Sequence, residues 1–481
     1  MKIEKHSLDF IPEEERHGSV RNLFSIWFSA NMQITVVITG ALAITYGLNI
    51  FWSLVAVVLG NLIGGLFMAT HSAQGPKLGI PQMIQSRAQF GVIGAVLPLI
   101  LVVIMYVGSF FATGILGAQA VHSVFPGISI TWALIILGAI TLIITVFGYD
   151  LIHAMEKYLA IVFAIVFIIV TIYVVRMPLP AHSWSIKDFH LSKFILVLSV
   201  TATWLLTYAP YVADYSRYLP KNTSSKATFG YTYAGGVIGT MWMMILGVFL
   251  TAAIPHFTDN PSQHLAGLFG PTFATILYLV IIIGVISINV LNLYCAFMAT
   301  ITTTEAFKKS QVTPKKRFNL ILIIAAIGTV LAIFGQSNLM SIFSDFMLFL
   351  QYFMIPWSAI NLVDFYFLRH GEYDIKDIFD INGKYGKFNW ISIIAYLVTI
   401  VLEIPFMNTS VYEGPISKAL NGADIAWAVG LVIPAILYYF PMRKKFFKEN
   451  LQPLTRKVKS EVKSSPVHPH TLKTGNEEKR I

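Results

Sequence analysis

The sequence predicts an all-α polytopic membrane protein with twelve transmembrane helices. Its 481 residues are 56% hydrophobic and only 12% charged, whereas roughly 25% of the residues of a soluble protein are charged. The mean hydropathy is +0.69. A helix needs about 20 mostly apolar residues to cross a bilayer, and twelve such segments follow one another along the chain. We number them spans 1 to 12, at about residues 23–47, 50–71, 92–122, 131–148, 158–177, 194–216, 229–254, 271–303, 319–336, 340–367, 390–407 and 423–441.

The distribution of lysine and arginine predicts the orientation of these spans. Basic residues accumulate on the cytoplasmic side of membrane proteins. With the N-terminus inside, the outer segments contain only Arg176, Lys187, Lys193 and Lys418 of the 34 basic residues. Both termini are therefore predicted to be cytoplasmic, and the protein to lie in the plasma (inner) membrane. The formal net charge of +10 reflects this bias and does not indicate binding of nucleic acid.

The order of the spans predicts an inverted repeat. Spans 1–5 begin inside and end outside, and spans 6–10 begin outside and end inside, as a 5+5 repeat of opposite topology requires. The chain accordingly divides into a cytoplasmic N-terminal tail (residues 1–22), a transport core of spans 1–10 (23–368), spans 11 and 12 with their connecting loop (369–442), and a basic C-terminal tail (443–481). The composition of that last tail predicts disorder.

Polar residues interrupt the first span of each half. In span 1 the run Ser29-Ala30-Asn31-Met32-Gln33 has apolar residues on both sides, and in span 6 a similar interruption covers residues 201–211. Unsatisfied polar groups are costly in lipid, so such interruptions occur where the backbone faces protein or a cavity. Interrupted helices at corresponding positions of two halves indicate a transporter's binding site. The alternative is that the span 1 side chains only form hydrogen bonds to a neighbouring helix.

Further side chains within the spans complete the candidate site. Asn292 in span 8 offers both a donor and an acceptor, which suits the edge of a nucleobase, and an aromatic residue at the break of span 6 can stack on a flat ring. Ser109 and Thr113 in span 3 either face the ligand or serve helix packing. The substrate-binding candidates are Ser29, Asn31, Gln33, Ser109, Thr113, Trp204, Tyr208 and Asn292, and the cation-binding candidates are Ala30, Gln33 and Ser287.

Ionisable residues in the spans are few. Asp345 lies about one turn into span 10 from the outer side and is the best carboxylate candidate for carrying a proton, whereas Glu156, Asp364 and Glu403 lie near span ends. Intramembrane acids usually mark functional sites. Because none lies clearly at the midplane, the sequence favours a coupling cation held by neutral oxygens, Na⁺ being the one metal ion considered, and it leaves H⁺ open.

Five stretches of the sequence together resemble one transporter family. They are Trp27–Gln33, Gly75–Gly79 with Gln82-Met83 and Ser86-Arg87, Ala213–Pro220, Asn292–Cys295, and Pro356–Tyr366. In these stretches, within a likeness that covers about residues 10–445, the chain resembles the nucleobase:cation symporter-1 family, and its purine–cytosine permease branch in particular.

The resemblance implies a LeuT-type fold with twelve helices, in which helices 1 and 6 are broken, and inward transport of a nucleobase with Na⁺ or H⁺ by alternating access. It also implies that Asn292 binds substrate and that either Trp204 or Tyr208 stacks on it. The sequence departs from the family in span 3, where Ser109 and Thr113 stand at positions that often hold an aromatic residue and an amide. It departs again in span 8, where Ile286-Ser287 supplies one hydroxyl instead of two, which puts Na⁺ in doubt.

The sequence therefore predicts cation-coupled uptake of a purine or a cytosine-like base. One alternative is the same fold carrying another small heterocycle or a ureide, such as allantoin or a vitamin precursor. Another is a non-transporting membrane sensor, for which the tail is too short to form a folded output domain. Cys295, the single cysteine, allows no disulfide within the chain. No catalytic motif occurs in a span, so we expect no enzyme activity, no cofactor beyond the cation, and no obligate protein partner.

Overall fold

The computed structural model describes residues 9–147, 149–307 and 313–464, with side chains placed at 9–146, 161–307 and 313–447. Each predicted span contains a helix. The first six spans contain Asn22–Ala30 with Ile34–Thr45, Ile50–Ser72, Val96–Val124, Ile130–Phe147, Tyr149–Val174, and Leu191–Leu206 with Val212–Ser216. The last six contain Ser225–Ala253, Pro271–Glu305, Pro314–Gly335, Leu339–Leu362 continued by the π-helix Val363–Leu368, Trp390–Glu403, and Ala426–Ser464.

The number of membrane crossings stays a prediction. Six helices of the described chain are long and apolar enough to cross a bilayer, or seven if the bent pair of span 1 counts as one. One of the six, Pro314–Leu368, runs through spans 9 and 10 together, and the apolar helices of spans 4, 5, 6 and 11 are shorter. Length and composition alone therefore do not establish the count of twelve.

Both predicted interruptions are breaks in the helices. The two helices of span 1 meet at a bend of 61°, with Asn31 to Gln33 between them. In span 6, the five residues from Thr207 to Tyr211 separate Leu191–Leu206 from Val212–Ser216. The break of span 6 begins later than the polar run at residue 201, because Thr201 and Thr203 direct their hydroxyls to carbonyls one turn earlier and so remain compatible with a helix.

The packing of the helices has the exchange symmetry that an inverted repeat requires. Span 7 packs against both helices of span 1, span 2 packs against span 6, and span 3 packs against span 8. Exchanging the halves turns spans 1, 2 and 3 into spans 6, 7 and 8, and this set of contacts is unchanged by the exchange. Small residues permit the close approach, as is common between membrane helices.

Gly247 shows how tight one of these contacts is. A Cβ atom added to Gly247 in span 7 would lie 1.9 Å from the backbone oxygen of Val37 in span 1. We expect Gly247→Ala to lower the free energy of unfolding by at least about 1–3 kcal/mol, since the clash is with backbone that cannot rotate away. Gly230→Ala is the matched control, because it lies in the same helix and a Cβ there meets nothing within 4 Å. Equal thermal unfolding midpoints for the two purified variants would contradict this account.

The loop between spans 2 and 3 is a folded connector, as its glycines and prolines predict. It forms two short helices, Gly75–Leu78 and Gln82–Phe90, and every residue of the second is buried. Trp357 of span 10 donates to the hydroxyl of Ser86 at 2.9 Å, and Gln74 donates to Asn361 at 2.8 Å. The connector is therefore fixed against span 10.

The C-terminal helix differs from the prediction. Ala426–Ser464 continues past residue 443, into the tail that the sequence predicts to be disordered. Lysine, arginine and glutamate are good helix formers, so their abundance there is compatible with continuation of the helix. Residues 465–481 lie outside the described part of the chain.

Candidate functional site

Asn31 joins the breaks of spans 1 and 6. Its side chain is fully buried, and its Nδ2 donates to the carbonyl of Trp27 at 2.7 Å. Its Oδ1 accepts two hydrogen bonds from span 6, from the indole Nε1 of Trp204 at 2.8 Å and from the hydroxyl of Tyr208 at 3.1 Å. Asn31 is not among the residues that line either cavity next to the breaks. Its geometry is that of a positioning residue, which differs from the substrate contact that the sequence predicts.

Two cavities adjoin the breaks. The central cavity, of about 740 Å³, lies between spans 1, 3, 5, 6 and 8, and the outer cavity, of about 460 Å³, lies between spans 1, 3, 6, 8 and 10. The residues that line both are Gln33, Tyr208, Tyr211, Ile288 and Asn292. Of the predicted substrate-binding residues, Ser29 lines the central cavity, whereas Ser109, Thr113 and Trp204 line the outer one. The structure therefore places seven of the eight predicted substrate-binding residues at these two cavities, and Asn31 is the exception.

Gln33, which lines both cavities, has a buried polar atom without a partner among the described residues. Its Nε2 donates to the carbonyl of Ala30 at 2.9 Å, which fixes the amide. Its Oε1 is buried and has no hydrogen-bond partner among the described residues. A buried acceptor left unpaired costs free energy, so the geometry favours a ligand that supplies an N–H group or a positive charge.

Asn292 faces the same junction from span 8. Its Nδ2 donates to Oδ1 of Asn289 at a long distance of 3.4 Å. The Nδ2 of Asn289 in turn donates to the carbonyl of Phe110 in span 3 at 3.1 Å. Asn289 thus fixes spans 3 and 8 to each other and supports Asn292, while the amide of Asn292 keeps donor and acceptor capacity for a ligand. The two asparagines therefore differ in position, because Asn289 bonds to a neighbouring helix and Asn292 lines the cavities.

Aromatic rings form one side of the site. Trp27 lies 5.4 Å from Tyr208 and 5.1 Å from Tyr215, and Tyr106 lies 5.5 Å from Tyr211, all measured between ring centroids. All five rings line the central cavity. Only Tyr208 belongs to the predicted site; the other four are absent from it. For Tyr211 and Tyr215, the signal in the sequence that could have added them to the site is their nearness to the predicted interruption of span 6.

The span 3 candidates face the outer cavity. The hydroxyls of Thr113 and Thr35 lie 3.4 Å apart, and both residues line that cavity with Ser109. Phe343, Phe346 and Met347 of span 10 complete this wall. The small hydroxyl residues of span 3 therefore leave room beside the junction, where the resemblance leads one to expect an aromatic residue and an amide.

The cation-binding candidates lie together on the central cavity. Ala30, Gln33 and Ser287 all line it. The carbonyl of Ala30 accepts a hydrogen bond from Gln33, and a carbonyl oxygen has a second lone pair that remains for a cation. Ser29 directs its hydroxyl to the carbonyl of Ile26 at 3.0 Å. Neutral oxygens of this kind are suitable ligands for a monovalent cation.

A third cavity continues from the central one toward the predicted cytoplasmic side. This inner cavity, of about 670 Å³, shares Tyr106, Tyr215 and Cys295 with the central cavity and reaches Asp214 and Arg217. The Oδ1 of Asp214 accepts from the backbone N–H of Gln82 at 2.7 Å, so it fixes the end of span 6 to the connector. The inner cavity thus adjoins the candidate site at these three shared residues.

The N-terminal segment covers the connector at the same end. The backbone N–H of Ile11 donates to the carbonyl of Gly79 at 2.9 Å, and the guanidinium of Arg16 donates to the carbonyl of Pro76 at 2.7 Å. On the other side Lys221, after span 6, forms a salt bridge of 2.6 Å with Glu13. Residues 11–16 therefore bridge the connector and the chain that follows span 6.

Asp345, Asp364 and Glu403 are not among the residues that line the three cavities. Both carboxylate oxygens of Asp345 accept from Ser410, with 2.9 Å to its backbone N–H, so Asp345 holds the loop after span 11. Asp364 is buried in a salt bridge of 3.0 Å with Arg369. Glu403 is fully buried and lines none of the three cavities. The side chain of Glu156 lies outside the part of the chain whose side chains are described.

Comparison with known proteins identifies relatives of this chain. A family model for permeases for cytosine/purines, uracil, thiamine and allantoin matches residues 10–430. A candidate purine-cytosine permease of Bacillus subtilis, YxlA, is 52% identical over 448 residues, which cover 93% of this chain and 98% of that protein. The purine-cytosine permease fcyB of Emericella nidulans is 26% identical over 93% of this chain and 90% of its own length.

The fold is also that of a solved transporter. The structure of Mhp1, a nucleobase-cation-symport-1 family transporter, in a closed conformation with bromovinylhydantoin bound has a TM-score of 0.73. The two chains are 15% identical, and the match covers 92% of this chain and 95% of Mhp1. An inward-facing structure of Mhp1 gives a TM-score of 0.74 at 17% identity. The predicted fold class, an all-helical transporter of this type, is confirmed.

Proposed function

The chain belongs to the family of permeases for cytosine/purines, uracil, thiamine and allantoin, and on that premise we propose that it takes up a purine or a cytosine-like base together with Na⁺ or H⁺. As a member it is a multi-pass membrane transporter and not an enzyme. We further propose that it lies in the plasma (inner) membrane with both termini in the cytoplasm. Spans 1–10 would form the transport core, with spans 11 and 12 outside the repeat.

The residues at the junction of the central and outer cavities support the proposal that the substrate is a nucleobase. Two amides, Gln33 and Asn292, and two phenol rings, Tyr208 and Tyr211, line both cavities. Amides offer donors and acceptors, and an aromatic face stacks on a base with about 1–3 kcal/mol per base. A flat heterocycle whose edge carries both N–H and C=O groups fits this combination. A purely apolar ligand is disfavoured, because it would leave Oε1 of Gln33 without a hydrogen-bond partner.

We propose the following roles for the candidate residues. The base would lie against Tyr208 and Tyr211, donate an N–H to Oε1 of Gln33, and pair its other edge with Asn292. Tyr208 is the better stacking candidate, since it lines both cavities, whereas Trp204 lines only the outer one. Ser29, Ser109 and Thr113 would contact the base or its bound water from the walls. Asn31 would act indirectly, by holding the two breaks together.

The cation would bind beside the base on the central cavity. Ala30 and Gln33 would contribute their backbone carbonyl oxygens, and Ser287 would contribute its hydroxyl. Binding of both solutes would favour one orientation of the core only if the solutes bind that orientation more tightly than the other. Substrate and cation would leave through the inner cavity once Asp214 and the connector separate.

Ser287→Ala is expected to raise the Na⁺ concentration for half-maximal uptake by about tenfold or more, because bonds to a charged partner contribute about 1.5–3 kcal/mol and each 1.4 kcal/mol is tenfold. Ser53→Ala is the matched control, a buried serine of span 2 that lines none of the three cavities. Uptake into proteoliposomes is measured over a series of Na⁺ concentrations at fixed pH. An unchanged Na⁺ dependence would remove Ser287 from the site, and uptake driven by a pH gradient alone would assign the coupling to H⁺.

A competition experiment tests the substrate class. Unlabelled purines and cytosine are expected to inhibit uptake of a labelled base, whereas allantoin and vitamin precursors are expected to inhibit weakly. If a ureide or a vitamin precursor inhibits at a lower concentration than any purine or pyrimidine does, that solute, and not a nucleobase, is the substrate.

A further inference from the structure

A fourth cavity, which we call the rear cavity, lies outside the proposed transport site. It has a volume of about 440 Å³ and lies between spans 2, 6, 10 and 12. In span 6 it is lined by Leu198, Ser199, Ala202, Thr203 and Leu206. At 100° per residue these positions lie roughly opposite to Trp204 of the same helix, which lines the outer cavity. The rear cavity is therefore separated from the outer cavity by the first helix of span 6.

Three polar atoms of the rear-cavity residues have no protein partner. They are Nε2 of Gln351, Oγ of Ser199 and Nε1 of Trp427, each buried and without a hydrogen bond to any described residue. The side chain of Gln351 is 0% exposed and that of Ser199 is 3% exposed. Buried polar groups are normally paired, so three unpaired groups around one cavity need an explanation.

The orientation of Gln351 is fixed by span 6. The hydroxyl of Thr203 lies 3.2 Å from Oε1 of Gln351 and 2.8 Å from the carbonyl of Ser199. The single hydroxyl hydrogen of Thr203 is shared between these two oxygens, so Oε1 of Gln351 has a partner, whereas its amide NH₂ has none among the described residues. The indole of Trp427 is a donor only. Two donors without acceptors, with a hydroxyl beside them, call for a ligand that supplies an acceptor.

The remaining wall restricts the class of ligand. Among the residues that line the rear cavity none is charged, and most are apolar, such as Ile63, Phe67 and Leu431. An ion would have no counter-charge there, and burial of an unpaired ion is costly. We propose that the rear cavity binds a neutral, mostly apolar molecule through a carbonyl or similar acceptor that pairs with Gln351 and Trp427. Either a free small molecule or a bilayer lipid has this chemistry.

Benzophenone is a suitable probe because it is a neutral two-ring ketone and is photoreactive. On irradiation its excited carbonyl takes a hydrogen atom from a nearby C–H group, and the two resulting radicals join in a C–C bond. The purified full-length protein is irradiated with benzophenone, digested and mapped by mass spectrometry. We expect adducts on the peptides that contain residues 198–206, 351–355 and 427–431.

Variants test whether the donors hold the probe. Gln351→Leu and Trp427→Phe are each expected to lower labelling of these peptides at least fivefold. Gln336→Leu is the matched control, since Gln336 has protein partners and does not line the rear cavity. Size-exclusion profiles establish whether each variant is folded. If Gln351→Leu does not fold, Trp427→Phe still tests the proposal. Adducts spread over exposed apolar residues such as Leu62 and Val432, with equal labelling in all variants, would overturn the proposal.

The same labelling in lipid vesicles distinguishes the two sources of ligand. Labelling in both detergent and vesicles supports a free small molecule, because bilayer lipid then does not compete with the probe. Labelling in detergent alone supports a site that lipid occupies. The proposal does not depend on the solute that the central cavity carries, so loss of nucleobase uptake would leave it unaffected.

Discussion

Asn292→Ala is expected to reduce nucleobase uptake at least about a hundredfold while leaving the amount of protein in the membrane unchanged. Asn292 lines both cavities at the junction, and the one hydrogen bond of its amide to the described residues is long, 3.4 Å. Its loss leaves the edge groups of a bound base unpaired, and sites built to hydrogen-bond a substrate discriminate by large factors when one partner is missing. The measurement is the initial rate of uptake of a labelled base over a range of concentrations.

The matched control for Asn292→Ala is Asn61→Ala. Asn61 is also a buried asparagine in a span, with its Nδ2 bonded to the carbonyl of Val57 at 2.8 Å, and it lines none of the transport cavities. We expect it to affect stability more than uptake per folded molecule. Unchanged transport by Asn292→Ala would remove that residue from the substrate site.

Asn31→Ala is expected to lower uptake at least about tenfold without removing any substrate contact. The substitution leaves two donors in span 6, the indole of Trp204 and the hydroxyl of Tyr208, without their shared acceptor. Each unpaired buried donor costs about 1–3 kcal/mol. The two breaks would then no longer be held in register, so substrate affinity and maximal rate should both change.

Tyr208→Phe provides a graded comparison for Asn31→Ala. It removes one of the two bonds to Asn31 and keeps the ring that we propose to stack on the base. Its expected loss of uptake is smaller than that of Asn31→Ala. If Asn31→Ala transports like the unmodified protein, the two breaks do not depend on this asparagine for their position.

The breaks and most of the candidate site could be predicted because polar residues in an apolar segment have few permitted environments. Ser29 to Gln33 marked the break of span 1 to within two residues, and the paired interruption located span 6. Asn292 and Ser287 could be identified as midspan polar groups. These inferences need only the local sequence and the cost of polar groups in lipid.

The partners of those residues could not be predicted, because they depend on how distant helices pack. Nothing local shows that Asn31 accepts a hydrogen bond from Trp204, 173 positions later. The difference between Asn289 and Asn292 depends on which of them meets the carbonyl of Phe110 in span 3. For the same reason the acid Asp345, chosen by its depth in span 10, proved to bind Ser410 in a loop.

Gradient-driven accumulation by the purified protein in sealed proteoliposomes tests the central claim most directly. An inward gradient of Na⁺ or of H⁺ is imposed, and labelled purines and cytosine are followed over time with the unmodified protein and with Asn292→Ala. We predict that at least one base accumulates above its external concentration under one of the two gradients, and that Asn292→Ala abolishes this accumulation. Equilibration of every base to the same level with and without either gradient would contradict cation-coupled nucleobase transport.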